Sequence, residues 1–221
     1  MEILCKIYGL PCTLYLLEHV PAYTKEHWKC LVSTKITVYF EKSLRATAAN
    51  NSKMKYLNVE LNGLTGRPHP SLLGIYTTQD VKKLRLHLKF LCGDFLTGLR
   101  RSIDLPGTSP ACQVCLAPEE SIEHIIAMCK ATSHIRERLL PELLNVIVKI
   151  QPNNRLLLHF SPSELTQFIL DCTSHNLDNS IRIPTHNPRI GELFCVSRDW
   201  CFAIANERAR LLRNLQNNHT L

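Results

Sequence analysis

Four candidate metal ligands in one short stretch, Cys112-x2-Cys115 followed by His124-x4-Cys129, constrain this chain more than any other feature. Three thiolates and one imidazole are the soft-to-borderline donors that Zn²⁺ takes in a tetrahedral site. A pair of cysteines two residues apart suits a tight turn whose sulfurs converge on one ion. Pro118, Glu119 and Glu120 read as a first helical turn, which puts His124 on the helix that follows. On a regular helix, residues five apart point about 140° away from one another. If both His124 and Cys129 are ligands, that helix must end, tighten or bend near Cys129. Four protein donors close the coordination sphere to water, so the expected cofactor is a structural Zn²⁺ rather than a catalytic one.

The other cysteines, Cys5, Cys12, Cys30, Cys92, Cys172, Cys195 and Cys201, share no ligand spacing. The N-terminal run MEILCKIYGLPC carries Glu2 and Lys6 and makes a poor signal peptide. No stretch reaches the roughly 18 apolar residues that a membrane span needs. Together these imply an intracellular chain, in nucleus or cytoplasm, where paired cysteines bind metal rather than form disulfides.

Hydrophobic periodicity predicts a mostly α-helical fold. Trp28, Leu31, Val32, Ile36, Phe40 and Leu44 fall at helical spacing within residues 22–50, and residues 56–76 read as irregular connection. A second helix is expected from an N-cap at Thr77 or Thr78 through QDVKKLRLHLKFLCGDFL. Its main apolar stripe is Val81, Leu84, Leu88, Leu91 and Phe95, with Leu86 and Phe90 roughly opposite. Between these faces Lys82, Arg85 and Lys89 form a narrow basic ridge. Beyond the cysteines, Ile135 to Ile147 continue a helical pattern, and Pro141 predicts two helices meeting there. Ser161 or Ser163 opens a further helix, and Ile190, Leu193, Trp200, Ile204, Arg208, Leu211 and Leu215 mark a long terminal one. The expected architecture is a set of helical bundle-like segments joined around a small CCHC zinc knuckle. Its parts are 1–77, 78–150 with the basic helix and the knuckle, and 151–221.

The net charge of +7 is uneven: +3 over residues 1–80, +4 over 81–111, −1 over 112–150 and +1 over 151–221. A localised positive field suits a phosphate backbone. The cysteine stretch is badly equipped for that contact. Zn²⁺ with three thiolates is formally negative, Glu119, Glu120 and Glu123 add to it, and no aromatic between Cys112 and Cys129 offers a surface for a base. Contact with RNA or DNA therefore falls to the flanks: Lys82, Lys83, Arg85, Lys89, Arg100 and Arg101.

The run LRLHLKFLCGDFLTGLRRS…SPACQVCLAPEESIEHIIAMCKATSHIRERLLPEL resembles the C-terminal region, after the reverse transcriptase domain, of non-LTR (LINE-type) retrotransposon polyproteins. In that family a helix ending near Gly-Asp leads into a CCHC knuckle with an E-x-x-x-H-I-hydrophobic core, matched here by Glu120, His124, Ile125 and Ile126. The segments WKCLVSTKITVYFEKSL and LFCVSRDWCFAIANERARLL are similar to the flanks of that knuckle. The resemblance is strongest over residues 78–145. It implies Cys112, Cys115, His124 and Cys129 as zinc ligands, RNA or DNA as partner, and the rest of a retrotransposon polyprotein as neighbour. The chain departs from the family's polymerase part: no [FY]-A-D-D-like pair occurs, and Asp80, Asp94, Asp104, Asp171, Asp178 and Asp199 are isolated. Two-metal chemistry needs clustered carboxylates. The expected function is a zinc-binding, non-specific RNA- or DNA-binding module rather than an enzyme, with a zinc-stapled protein-interaction module or an inactive remnant as alternatives. The seam at 190–215 could pair with a partner helix or a second copy, but Phe194 and Trp200 suit a globular interior, so packing on the chain's own core is favoured.

Overall fold

The computed structural model describes residues 6–10, 24–50, 54–57, 69–152, 160–174, 177–178 and 180–218. Every regular element among them is helical, as the periodicity predicts. The chain divides into two compact units, Met1–Asn51 with Val59–Arg67, and Ser52–Asn58 with Pro68–Leu221.

In the first unit, α1 spans Lys25–Asn50. The Thr24 hydroxyl accepts the His27 amide at 3.2 Å and caps its start. Trp28, Leu31, Val32 and Ile36 are half-buried along the expected stripe. Phe40 leaves that stripe and packs instead with Tyr8 and Tyr39, at ring-centroid distances of 6.2 and 5.6 Å. The Leu44 side chain lies outside the described residues.

The second unit holds α2 (Thr78–Leu91), α3 (Gly98–Asp104), α4 (Ser133–Ile150), α5 (Pro162–Leu170) and α6 (Ile190–Asn218). Helices from both 78–150 and 151–221 share its core: α6 packs on α2 and α4, and α5 closes against residues 124–128. Local chemistry sets several ends. Thr77 and Ser161 each form a capping box, with Asp80 and Glu164 returning the bond. The long terminal seam turns inward, with Ile190, Leu193, Trp200 and Ile204 all buried.

Three expectations are corrected. First, α2 buries His87, Phe90 and Leu91, whereas Val81 stays 53% exposed and Leu84 and Leu88 are only half-buried. The helix has apolar residues on two sides, and α5 and α6 choose between them. Asp199 of α6 pairs with Lys83, and the His87 Nε2–H donates to the Ile169 carbonyl at 3.3 Å. Burial lowers the His87 pKa to about 4, so this core histidine is neutral. Second, α4 runs unbroken through Pro141. Pro141 and Glu137, whose carbonyl loses its helical donor, both face solvent, while Leu139, Leu143, Val146 and Ile147 anchor the opposite face. The freed carbonyl lies on a solvent-facing side where it is not buried without a partner, and the helix continues through the proline. Third, the connection expected to be irregular holds one ordered piece near its end, at residues 69–74. They form a 3₁₀ turn at Pro70–Leu72 that Arg198 clamps from α6. The buried guanidinium donates to the Ser71, Leu73 and Gly74 carbonyls at 2.7, 2.9 and 3.1 Å.

Because the proline bears a helix-interior penalty on an exposed face, Pro141→Ala is expected to stabilise the chain by about 1–3 kcal/mol. Denaturant midpoints at saturating metal check this, and an unchanged midpoint would mean the helix is already broken there.

Candidate metal centre

The Sγ atoms of Cys112, Cys115 and Cys129 and a ring nitrogen of His124 all lie within 4.8 Å of one another. Cys112, His124 and Cys129 are buried and Cys115 is half-buried. The His124 Nε2 stands 3.2 Å from the Cys115 sulfur, which identifies it as the nitrogen turned to the cluster.

The first two ligands come from a tight turn. The Leu116 amide donates to the Cys112 carbonyl and the Cys112 amide to the Ala117 carbonyl, each at 2.9 Å. Closing it puts Leu116 in the left-handed region, at φ 63°, with its side chain 82% exposed. A leucine there stores about 1–2 kcal/mol of backbone strain that glycine would not.

The second pair is brought together in one of the expected ways, a helix that ends at Cys129, preceded by a widened turn. Pro118–Glu120 are not helical; helix begins at Ile122 and widens into a π turn over His124–Met128. Its closing bond runs from the Cys129 amide to the His124 carbonyl at 2.7 Å, an i→i+5 span. The widened turn and the end of the helix at Cys129, whose backbone leaves the helical region at φ −58°, ψ 117°, together bring His124 and Cys129 into one cluster. The Ile126 carbonyl is taken up by the Trp200 indole N–H at 3.3 Å, and the Cys129 carbonyl by Arg136 Nη2 at 2.6 Å.

The protein also surrounds the sulfurs with donors. Backbone N–H groups of Val114 and Cys115 bond to Cys112, those of Ala117 and Lys130 to Cys115, and that of Ala131 to Cys129. Burial pushes the Cys112 thiol up to about 12 and raises Cys129. Burial also acts to raise Cys115, but the Ala117 amide and its neighbouring thiols outweigh it and hold it below its ordinary value. Burial keeps His124 below its usual range, so near pH 7 the imidazole is neutral and able to donate to a metal.

The acidic surroundings are not the uncompensated field that composition suggests. Glu120 is fully buried and accepts Arg208 in bidentate geometry, Nε to Oε1 at 2.8 Å and Nη2 to Oε2 at 2.7 Å. It also takes the Gly98 amide at 2.6 Å. A Cβ on Gly98 would stand 2.7 Å from the Pro110 carbonyl oxygen, so only glycine lets α3 approach this closely. Burial works to raise Glu120, but the Arg208 guanidinium holds it below the usual carboxylate range. Glu123 pairs with Lys55 at 2.9 Å and accepts the Tyr56 hydroxyl at 3.1 Å. Of the three glutamates, Glu119 alone is exposed.

The six flanking cations separate into two groups. Lys82, Arg85 and Lys89 are exposed on α2 and form no ion pair among the described residues. Lys83 pairs with Asp199, Arg100 with Asp104 at 2.8 Å, and Arg101 Nη2 approaches Glu120 at 4.0 Å. The ridge is not bounded by two packed faces. On one side lies the half-exposed stripe Val81, Leu84, Leu88 and Cys92, which with Arg85, Lys89 and Asp94 lines a shallow groove.

A second polar group escaped sequence reasoning because its members are far apart in the chain. The Ser71 Oγ lies 2.7 Å from His69 Nδ1, and His69 Nε2 3.2 Å from the Asp171 carboxylate. The composition is that of a hydrolase triad, but Ser71 is fully buried, and its amide also donates to Nδ1 at 3.1 Å. The group ties the 69–74 turn to the end of α5 and presents no serine surface to a substrate.

A mostly helical chain with a Cys₃His cluster able to hold a metal ion is the class that fold and site define. No protein-family model matches the chain, and neither does any curated protein or solved structure. No helix among the described residues is long and apolar enough to cross a membrane.

Metal binding must displace the protons of at least Cys112 and Cys129, whose thiols sit above their ordinary values. Metal affinity is therefore expected to fall by at least about a hundredfold per pH unit of acidification near neutrality. Competition against a chelator at several pH values measures this. A pH-independent affinity would mean that the thiols are not the ligands.

Proposed function

We propose that this chain is a zinc-stapled helical module, of retrotransposon origin, that holds RNA or DNA by its phosphate backbone without sequence specificity. The metal in this reading is Zn²⁺. A tetrahedron with Zn–S near 2.3 Å separates its sulfurs by about 3.8 Å, compatible with ligand atoms gathered within 4.8 Å. The ion is structural, because four protein donors fill its coordination sphere. Its task is to fix the turn at 112–117 and the π segment against the helices that carry charge. The resemblance of residues 78–145 to the region after a reverse transcriptase supports both the metal and the nucleic acid.

The observation that carries the nucleic-acid reading is the exposed row Lys82, Arg85 and Lys89 on one face of α2, with no ion pair among the described residues. Cations three and four residues apart are neighbours on a helix and track a polyanion together. Contact of this kind releases counterions and weakens steeply with salt. One observation favours a second reading, a protein partner on the same face: the aliphatic stripe beside the ridge, with Val81 53% exposed.

Fluorescence anisotropy with labelled RNA and DNA oligonucleotides at two salt concentrations tests the first reading. Duplex affinity is expected to fall with a log–log slope of about −0.9 for each phosphate neutralised. The triple variant K82E/R85E/K89E is expected to lose binding to both nucleic acids. Binding of the same strength in that variant would overturn the reading, and no binding by the natural chain would leave the face to a protein partner.

A further inference from the structure

Glu120 lies between the two halves of the metal centre in the chain and is fully buried. Its backbone holds the segment in place, with its amide donating to the Pro110 carbonyl at 2.8 Å and its carbonyl accepting the Leu99 amide at 3.1 Å. Glu120 lines one small void with Cys112, Val114, Ile125, Cys129, Thr132 and Arg208. Arg208, from far along α6, therefore lines the same void as two of the four ligands, with its guanidinium held on the Glu120 carboxylate. We infer that Arg208 is a positioning residue of the metal centre, acting through Glu120, so that metal affinity is set partly by the C-terminal helix. The inference rests on the reading of the Cys₃His cluster as a zinc site.

The physical reason is charge. Zn²⁺ with three thiolates is formally −1, and a buried carboxylate beside it adds a second negative charge where water cannot screen either. The bidentate Arg208 pair cancels that second charge and fixes the carboxylate's orientation. Without the guanidinium, Glu120 would stand uncompensated in the void it shares with Cys112 and Cys129 and repel the negatively charged metal–thiolate centre. Removing both charges together takes away that repulsion. The CCHC stretch is accordingly not a self-contained knuckle, because its electrostatic balance is completed by a helix outside it.

Zinc dissociation constants of the full chain, measured by competition with a chromophoric chelator, test this. R208M is expected to bind zinc about 10–100-fold more weakly than the natural chain. The double variant E120Q/R208M is expected to recover most of that loss, a rescue that a purely structural role for Arg208 would not produce. Zinc affinity in R208M within about threefold of the natural chain overturns the inference, as does a double variant no tighter than R208M. If R208M does not fold, R208K carries the test: a weaker affinity and a shifted Co²⁺ charge-transfer spectrum support the inference, and identity in both overturns it. No zinc binding by the natural chain would instead overturn the metal reading itself.

Discussion

The hydrogen bond from the Cys129 amide to the His124 carbonyl spans five residues, and the geometry of the metal centre follows from it. A regular helix would turn these two side chains away from each other, and the widened turn together with the helix end at Cys129 lets both reach one ion. A π turn weakens local packing and frees carbonyl groups, so it persists only where neighbours compensate. Here the compensation comes from Trp200 on α6 and Arg136 on α4. Ligand geometry and helix packing are thus a single arrangement rather than a metal module attached to a bundle.

The same interlocking appears in the charges. The glutamates that seem to surround the cysteines with negative field are mostly committed elsewhere, Glu120 to Arg208 and Glu123 to Lys55. Half of the flanking cations are likewise drawn into intrachain pairs, which leaves Lys82, Arg85 and Lys89 on α2 as the members of that set with no ion pair among the described residues. The proposed division of labour follows: the metal centre organises, and one face of one helix meets the partner.

Much of this was legible from residue order. The CxxC, His and Cys spacing located the centre, since thiolates and imidazole at short range have few other uses together. The capped starts of α2 and α5 were legible because Thr77–Asp80 and Ser161–Glu164 satisfy their own backbone donors locally. What could not be read depends on distant partners. The inward face of α2 was ambiguous because both sides are apolar, and His87 counts as polar until Ile169 supplies its acceptor. Pro141 signals a break by its own chemistry, and only the burial of Leu139 and Leu143 on the other face keeps α4 whole. Glu120 looks like surface charge until Arg208, remote in sequence, closes on it. The π turn has no local signature beyond the ligand spacing that demands it.

The central claim is that three sulfurs and one imidazole nitrogen close around a single zinc ion and leave no place for water. X-ray absorption at the zinc edge of the purified full chain tests it most directly. Three sulfur neighbours at about 2.3 Å and one nitrogen at about 2.0–2.1 Å, unchanged by added small-anion ligands, are expected. Two or fewer sulfurs, or an extra oxygen that exchanges with added anions, would contradict it.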